Sequence, residues 1–315
     1  MYLPKDVLNR LKQKKKKLDS FRPLAKSALN RLREQFVIEW TYNSNGIEGN
    51  TLTLRETALV LREGITVSGK TLKEHTEATN HKKAIEFVEK FVVSKKSLSE
   101  KILLDIHKIV LSDIDDEYAG IYRNQNVRIL GARVIPPNPL KIQRLMDEFF
   151  KWLDKNTDNL HIIEQVALAH YKLVEIHPFI DGNGRTSRLI MNLLLMQKGY
   201  PPAVILKNDR KKYYSTLNEA NMGRFEPFVL FIAQSVERSL GLYLETIEPK
   251  TKKKQTDLTE YISLMEANKI CDYSQEYLSL LARKGKIHAI KRNRNWLTTK
   301  ESIEDYISNK LKQTP

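Results

Sequence analysis

Cysteine is nearly absent: Cys271 stands alone among 315 residues, so no internal disulfide can form and a small disulfide-stapled scaffold is excluded. Glycine and proline are scarce as well, at 12 and 11 residues, far below what a collagen-like or low-complexity chain carries. No apolar run reaches the roughly 20 residues that a membrane-spanning helix needs. The strongest, Leu189 to Met196, is broken by Asn192 and stops at Gln197-Lys198-Gly199-Tyr200-Pro201-Pro202, which marks a buried helix instead. No stretch joins a basic start, an apolar middle and a small-residue cleavage site, so we expect a cytoplasmic protein with no membrane partner. Acidic excess is missing too. Lys and Arg number 53 against 38 Asp and Glu, a net charge of +15 that points to polyanionic partners. Part of that surplus is local: Lys14 to Lys17 read as the solvated face of a helix, and Lys250 to Lys254 as a linker.

What is present is apolar content, 41% of the chain, enough for one large core and a small satellite domain. From Leu29 to Leu244 apolar residues recur at three- and four-residue spacing, which predicts a mainly α fold. In the segment from His161 to Val174, positions 163, 166, 167, 170, 173 and 174 share one helical face. His170 on that face reads as a hydrogen-bonded core histidine. The exception to helix is the stretch from Asn126 to Ile135, two short extended runs around Gly131 that stop at Pro136-Pro137, a hairpin. These signals divide the chain into an N-terminal helical region (1–100), a core (101–246), a basic linker (247–257) and a small domain (258–312).

One segment carries most of the chemistry. His177-Pro178-Phe179-Ile180-Asp181-Gly182-Asn183-Gly184-Arg185-Thr186-Ser187-Arg188 combines a base, a carboxylate, a glycine-rich turn and two arginines just before an apolar helical run. Gly182 and Gly184 let the backbone aim successive N–H groups at one anion, and a helix beginning there adds about half a positive charge. Together they describe a phosphate site.

The segment resembles the signature of the Fic family, H-x-F-x-D/E-G-N-G-R-x-x-R, at every fixed position, and the similarity extends over roughly residues 30–245. Members of that family usually transfer AMP from ATP to a protein hydroxyl. The resemblance implies a Fic-type helical core with ATP as substrate, a target protein offering a Ser, Thr or Tyr hydroxyl, and Mg²⁺ or Mn²⁺ as cofactor. It makes His177 the base, for which an ordinary pKa near 6.5 suits a neutral medium. It gives Asp181 the metal, and the phosphates to Gly182, Asn183, Gly184, Arg185, Thr186, Ser187 and Arg188, with Arg185 on the β- and Arg188 on the γ-phosphate. Phe179 anchors the loop in the core. Tyr213, Tyr214 and Asn221 resemble the wall of the family's adenosine pocket. The hairpin, with Leu130, Gly131, Ala132 and Arg133 at its tip, resembles the flap that holds the target by strand addition.

A second signature, S/T-x-x-x-E-G/N, is matched at Ser44-Asn45-Gly46-Ile47-Glu48-Gly49-Asn50 and resembles the family's inhibitory helix, in its N-terminal position. The spacing puts Ser44 and Glu48 on one helical face, and Gly49 can end the helix. The resemblance pairs Glu48 with Arg188, which takes the γ-phosphate's partner away. It also allows Glu48 to orient a water that removes AMP from a modified protein.

Residues 258–312 read as helix (Leu258 to Ile270), turn, helix (Ser274 to Gly285) and hairpin (Ile287 to Thr298), with Ser274 as cap and Gly285 as stop. The order resembles the winged helix-turn-helix of excisionase-like DNA-binding domains, and Lys286, Lys291, Arg292 and Arg294 decorate the hairpin. Residues 250–315 hold 14 Lys and Arg against 8 Asp and Glu, a net +6 that suits DNA; protein docking is the other use. Reading DNA with specificity would call for a homodimer on two half-sites. The rival to an enzyme is then a DNA-binding regulator whose core senses nucleotide with negligible turnover.

Overall fold

The computed structural model describes residues 2–24, 26–128, 134–155, 160–247, 261–292 and 295–311. Two compact units divide the chain, 1–247 and 248–315.

The first unit is helical: α1 (Lys5–Ser20), α2 (Lys26–Ile47), α3 (Leu54–Glu63), α4 (Leu72–Val93), α5 (Glu100–Leu111), α6 (Ile142–Lys155), α7 (Ile162–Ile176), α8 (Asn183–Gln197), α9 (Arg210–Asn221) and α10 (Glu226–Ile247). Local signals set several starts. Thr53 with Glu56, and Thr71 with Glu74, form reciprocal capping boxes at α3 and α4, where each pair satisfies two otherwise orphaned amides. Gly64 ends α3 in the left-handed region, φ +66°.

α7 and α8 pack against each other at the centre, with α4 and α5 against α8 and α10 against α7. α8 serves two cores at once. Leu189, Ile190 and Leu193 join the cluster built with α2, α4 and α5, while Met191 and Leu195 join the one built with α1, α7 and α10. All five are fully buried, and burial of such side chains stabilises by about 1.5–3 kcal/mol each. The start of α8 is therefore held by packing on two sides.

The expected mainly α fold is what the structure shows, and no helix of the described residues is long and apolar enough to cross a membrane. In the stretch expected as a hairpin, residues 126–128 and 134–135 form no ladder. Leu130, Gly131, Ala132 and Arg133 lie outside the described residues.

The second unit runs β1 (Tyr261–Ser263), α11 (Leu264–Asn268), α12 (Gln275–Arg283), β2 (Ala289–Arg292), β3 (Asn295–Thr299) and α13 (Lys300–Leu311). Its antiparallel sheet has the order β1-β3-β2, with Ile262 opposite Thr298 and Lys291 opposite Trp296. Leu264, Ala267, Leu278, Leu281, Ala282, Ile287 and Ile303 form its core. The single helix expected from Leu258 to Ile270 is corrected here. Ser263 caps a later start in a box with Glu266, so α11 is short and Tyr261–Ser263 pairs with β3 instead. α13 carries no expectation from the sequence.

Candidate active site

The motif loop begins where α7 ends. His177 takes the left-handed conformation, φ +50°, and returns its backbone N–H to Leu173 O at 3.0 Å. Its Nδ1 lies 3.2 Å from Val174 O, a carbonyl that can only accept, so Nδ1 carries the proton and Nε2 keeps the lone pair. The far end of the loop is Gly182, φ +76°, the N-cap of α8. Both amide atoms of Asn183 serve the turn: Oδ1 accepts from Phe179 N at 3.0 Å and Nδ2 donates to Phe179 O at 2.8 Å. What Asn183 offers an anion is its backbone N–H.

His107 of α5 supports this loop from below. Its ring stacks on Phe179 at 3.6 Å with 7° between the planes. Nδ1 accepts from Gly120 N at 3.0 Å, which leaves Nε2–H to donate to Asp181 O at 2.9 Å. A Cβ on Gly182 would sit 3.2 Å from that Nε2, a second reason for glycine there beyond its positive φ. Arg123, 3% exposed, fixes the other side. It donates to His177 O at 2.8 Å, Gln125 O at 3.0 Å and Pro137 O at 2.6 Å, and its own N–H reaches Pro178 O at 2.9 Å.

The amides of Asn183, Gly184 and Arg185 open α8 and have no carbonyl within the helix to bond. Gly182 N–H is taken by Asp181 Oδ1 at 2.6 Å. The amide of Thr186 already closes onto Gly182 O at 2.9 Å, and the Thr186 and Ser187 side chains are 1% and 2% exposed. From its fourth amide onward a helix bonds within itself, so the amides of these two residues are not among those left for an anion, while Thr186 Oγ1 is buried without a partner among the described residues.

Arg185 and Arg188 are each 2% exposed. Arg185 Nη2 meets Asp181 Oδ2 at 3.2 Å, and its Nη1 meets Glu77 Oε1 of α4 at 3.3 Å. Arg188 is held by α2: Nε donates to Ser44 Oγ at 3.0 Å, and Nη2 to Ser44 O at 2.9 Å and to Glu48 Oε1 at 2.7 Å. Glu48 lies one residue beyond α2, and Gly49, φ +108°, turns the chain away after it. Gly184 leaves room for this contact, since a Cβ there would collide with Glu48 Oε1.

A cavity of about 260 Å³ is lined by His177, Gly184 and Glu48 together with Tyr213, Tyr214 and Asn221. Tyr213 is buried with its hydroxyl 2.7 Å from His170 Nε2, so His170 is a core histidine. Arg210, over the Tyr214 ring at 5.0 Å, donates to Ile47 O at 2.7 Å and so ties α9 to the end of α2.

Burial pushes His177 below its usual value, with Arg123 adding to that push and the Val174 carbonyl, Glu48 and Asp181 opposing it. The ring is a neutral base at pH 7. Burial also disfavours charge on Asp181, but Arg185, the Gly182 amide and Lys73 outweigh it and hold the carboxyl below its ordinary range. Arg188 is moved up, because Glu48 and the neighbouring tyrosines overcome the cost of its burial. Asp181 is half-exposed, 52%, so one carboxylate faces the solvent at the start of α8. Among the described residues no three His, Cys, Asp or Glu gather into a metal cage. Such a donor set fits Mg²⁺, which is usually held by one or two carboxylates and the substrate's own phosphates.

Sequence reasoning did not find His107, Arg123, Glu77 or Arg210. Each acts on backbone or on a partner distant in sequence, and no local pattern announces that.

The Fic/DOC family model matches residues 97–195, which include the whole twelve-residue motif. Protein adenylyltransferase Fic of Drosophila virilis is 44% identical over 221 residues, covering 70% of this chain and 45% of that protein. The chain thus spans about half the length of the curated relatives it matches. Among solved structures, a Fic domain containing signaling protein from Bacteroides thetaiotaomicron superposes with a TM-score of 0.71 at 29% identity, over 76% of this chain and 98% of the other. Fic-1 of C. elegans superposes with a TM-score of 0.70 at 32% identity, over 77% of this chain and 73% of that one. A relative 32% identical of which the chain covers 73%, together with a family match that spans the loop joining α7 to α8, establishes that the chain belongs to the Fic/DOC family.

Proposed function

We propose that the first unit transfers AMP from ATP to a Ser, Thr or Tyr hydroxyl of a target protein, and to the chain itself, with Glu48 as a built-in restraint. One observation carries this reading: a neutral histidine with a free Nε2 shares a cavity with the start of α8, where unpaired amides and two buried arginines converge. The name adenylyltransferase given to the Drosophila relatives supports it.

In the reaction, the target hydroxyl oxygen bonds to the α-phosphorus while the bond from that phosphorus to the bridging oxygen breaks and pyrophosphate departs. The hydroxyl proton passes to His177 Nε2. Such proton transfer contributes about 10²- to 10⁴-fold in rate. The Asn183, Gly184 and Arg185 amides and the α8 terminus hold the α- and β-phosphates, Arg185 takes the β-phosphate and Arg188 the γ-phosphate. Tyr213, Tyr214 and Asn221 wall the adenosine. Asp181 would hold Mg²⁺ or Mn²⁺, which supplies charge neutralisation across the phosphate oxygens. With Glu48 on Arg188 the γ-phosphate loses its partner, so ATP binds in a poor geometry. Glu48 also lines the cavity, where it can orient a water for removal of AMP. We place this chemistry in the cytoplasm, where a lone cysteine stays reduced.

The second unit we assign as a winged helix-turn-helix that binds DNA as part of a homodimer, on the strength of its helix, turn, helix and sheet order and its surplus of cations. Incubation with labelled ATP and a host lysate tests the enzyme. Pyrophosphate release and addition of AMP less water to a hydroxyl are expected; nucleotide binding with neither would leave a nucleotide-sensing regulator.

A further inference from the structure

Glu48 is not the only carboxylate that reaches the motif arginines. Glu77 projects from α4 with its side chain 14% exposed, and its two oxygens face two different donors. Oε1 takes Arg185 Nη1 at 3.3 Å and Oε2 takes Asn50 Nδ2 at 2.8 Å. Asn50 follows Glu48 by two residues and is locked in place. Its N–H returns to Asn45 O at 3.1 Å, its Nδ2 also donates to Glu74 O at 3.1 Å, and its Oδ1 accepts from Leu52 N at 3.0 Å. Asn45 Nδ2 in turn donates to Glu77 O at 3.2 Å. The end of α2, which presents Glu48, is thereby registered against the residue that holds Arg185.

From this geometry we infer that Glu77 is a positioning residue linking the two halves of the phosphate site: one oxygen orients Arg185, and the other fixes the segment that keeps Glu48 on Arg188. The inference rests on the nucleotide reading above and adds a second arm to the restraint. Arg185 needs such a partner. Its guanidinium is buried, and once Asp181 turns to a divalent ion, Glu77 is the carboxylate that still compensates its charge. Both partners of Glu77 donate, so only a carboxylate satisfies them together. A glutamine in its place has one acceptor and sets an NH₂ against the other donor. Asn50 cannot turn its amide to help, because both ends are committed.

Calorimetric affinities for ADP and ATP, at one fixed Mg²⁺ concentration, separate the two arms. ADP reports the Arg185 side, while the preference for ATP over ADP reports how freely the γ-phosphate displaces Glu48. Glu77→Gln should weaken ADP binding and raise the ATP preference by about threefold or more, the scale of one hydrogen bond. Glu77→Asp, which keeps two acceptors, should restore part of both. Asn50→Ala should raise the ATP preference and spare ADP affinity, and it tests the link even if Glu77→Gln fails to fold. In a Glu48→Gly background the preference should no longer respond to Glu77→Gln. A preference unmoved by Glu77→Gln and Asn50→Ala, with ADP still bound, overturns the link alone. Absence of ADP and ATP binding in every variant overturns the nucleotide reading and the link with it.

Discussion

Arg185 and Arg188 in the first unit are each 2% exposed, whereas Lys284, Lys286 and Lys291 in the second lie open to solvent. The two regions carry positive charge by opposite means. A buried guanidinium is costly unless charged partners hold it, so each one in the motif is met by a named carboxylate in a fixed geometry. An exposed lysine is solvated whatever its orientation and specifies no geometry. The two motif arginines therefore present their charge in a fixed geometry, and these lysines present theirs without one.

The sharpest way to break that contrast is at His177. His177→Ala should cut AMP transfer by about 10²- to 10⁴-fold while ATP affinity is kept, since the ring meets the proton and not the phosphates. Mass spectrometry of target and chain reads the first, calorimetry the second. Transfer that survives removes the mechanism. Because burial holds His177 below its ordinary value, the acid limb of kcat/KM should lie below pH 6.5, with a flat profile from pH 7 to 8.

Next in size is the Glu48–Arg188 contact. Glu48→Gly should raise automodification by about tenfold to a hundredfold, the range of one charge-assisted hydrogen bond. When Arg188 is Ala the same change should gain little. A fully active double variant would refute the pairing.

Buried histidines sharpen the comparison through pH. Burial is the largest cause that pushes His81 and His170 down to about 3 and His107 down to about 4, while His288 of the second unit is exposed. With folded values below the unfolded 6.5, stability is fully present above pH 6.5 and is lost as pH falls toward 4. The loss approaches about 1.4 kcal/mol per pH unit for each histidine. Hydrogen exchange of the full chain at pH 7 and pH 5 should show protection falling faster around α4, α5 and α7 than around α12; equal slopes would contradict it.

The smallest effects belong to the second unit. Its deletion should change AMP transfer by less than about twofold, as every residue named at the motif site belongs to the first unit. If it contacts DNA phosphates, affinity should fall with salt at about −0.9 per phosphate on logarithmic axes, and Lys291→Glu/Arg292→Glu should flatten the slope. A salt-independent mobility shift would count against phosphate contact.

How much of this was legible in the sequence varies with range. The helical character of the first unit, the burial of α8 and the clustering of His177, Asp181 and Gly182 follow from periodicity and from twelve adjacent residues. Tyr261–Ser263 did not, because a three-residue strand exists only through its pairing with β3. Which amides at the start of α8 stay free was not legible for a different reason: a motif names residue types, while the helix closes the Thr186 amide onto Gly182 O.

The sequence by itself determined which groups lie next to one another along the loop: a base, a carboxylate, two glycines able to take left-handed φ, and a helix start. Those depend on neighbours a few residues away. Only the tertiary structure decided what meets them. Glu48 lies 140 residues from Arg188, Glu77 108 from Arg185, and Arg123 54 from His177. The first two contacts exist because α2 and α4 pack against α8, the third because the segment after α5 meets the end of α7, and no local preference of the chain records that closure.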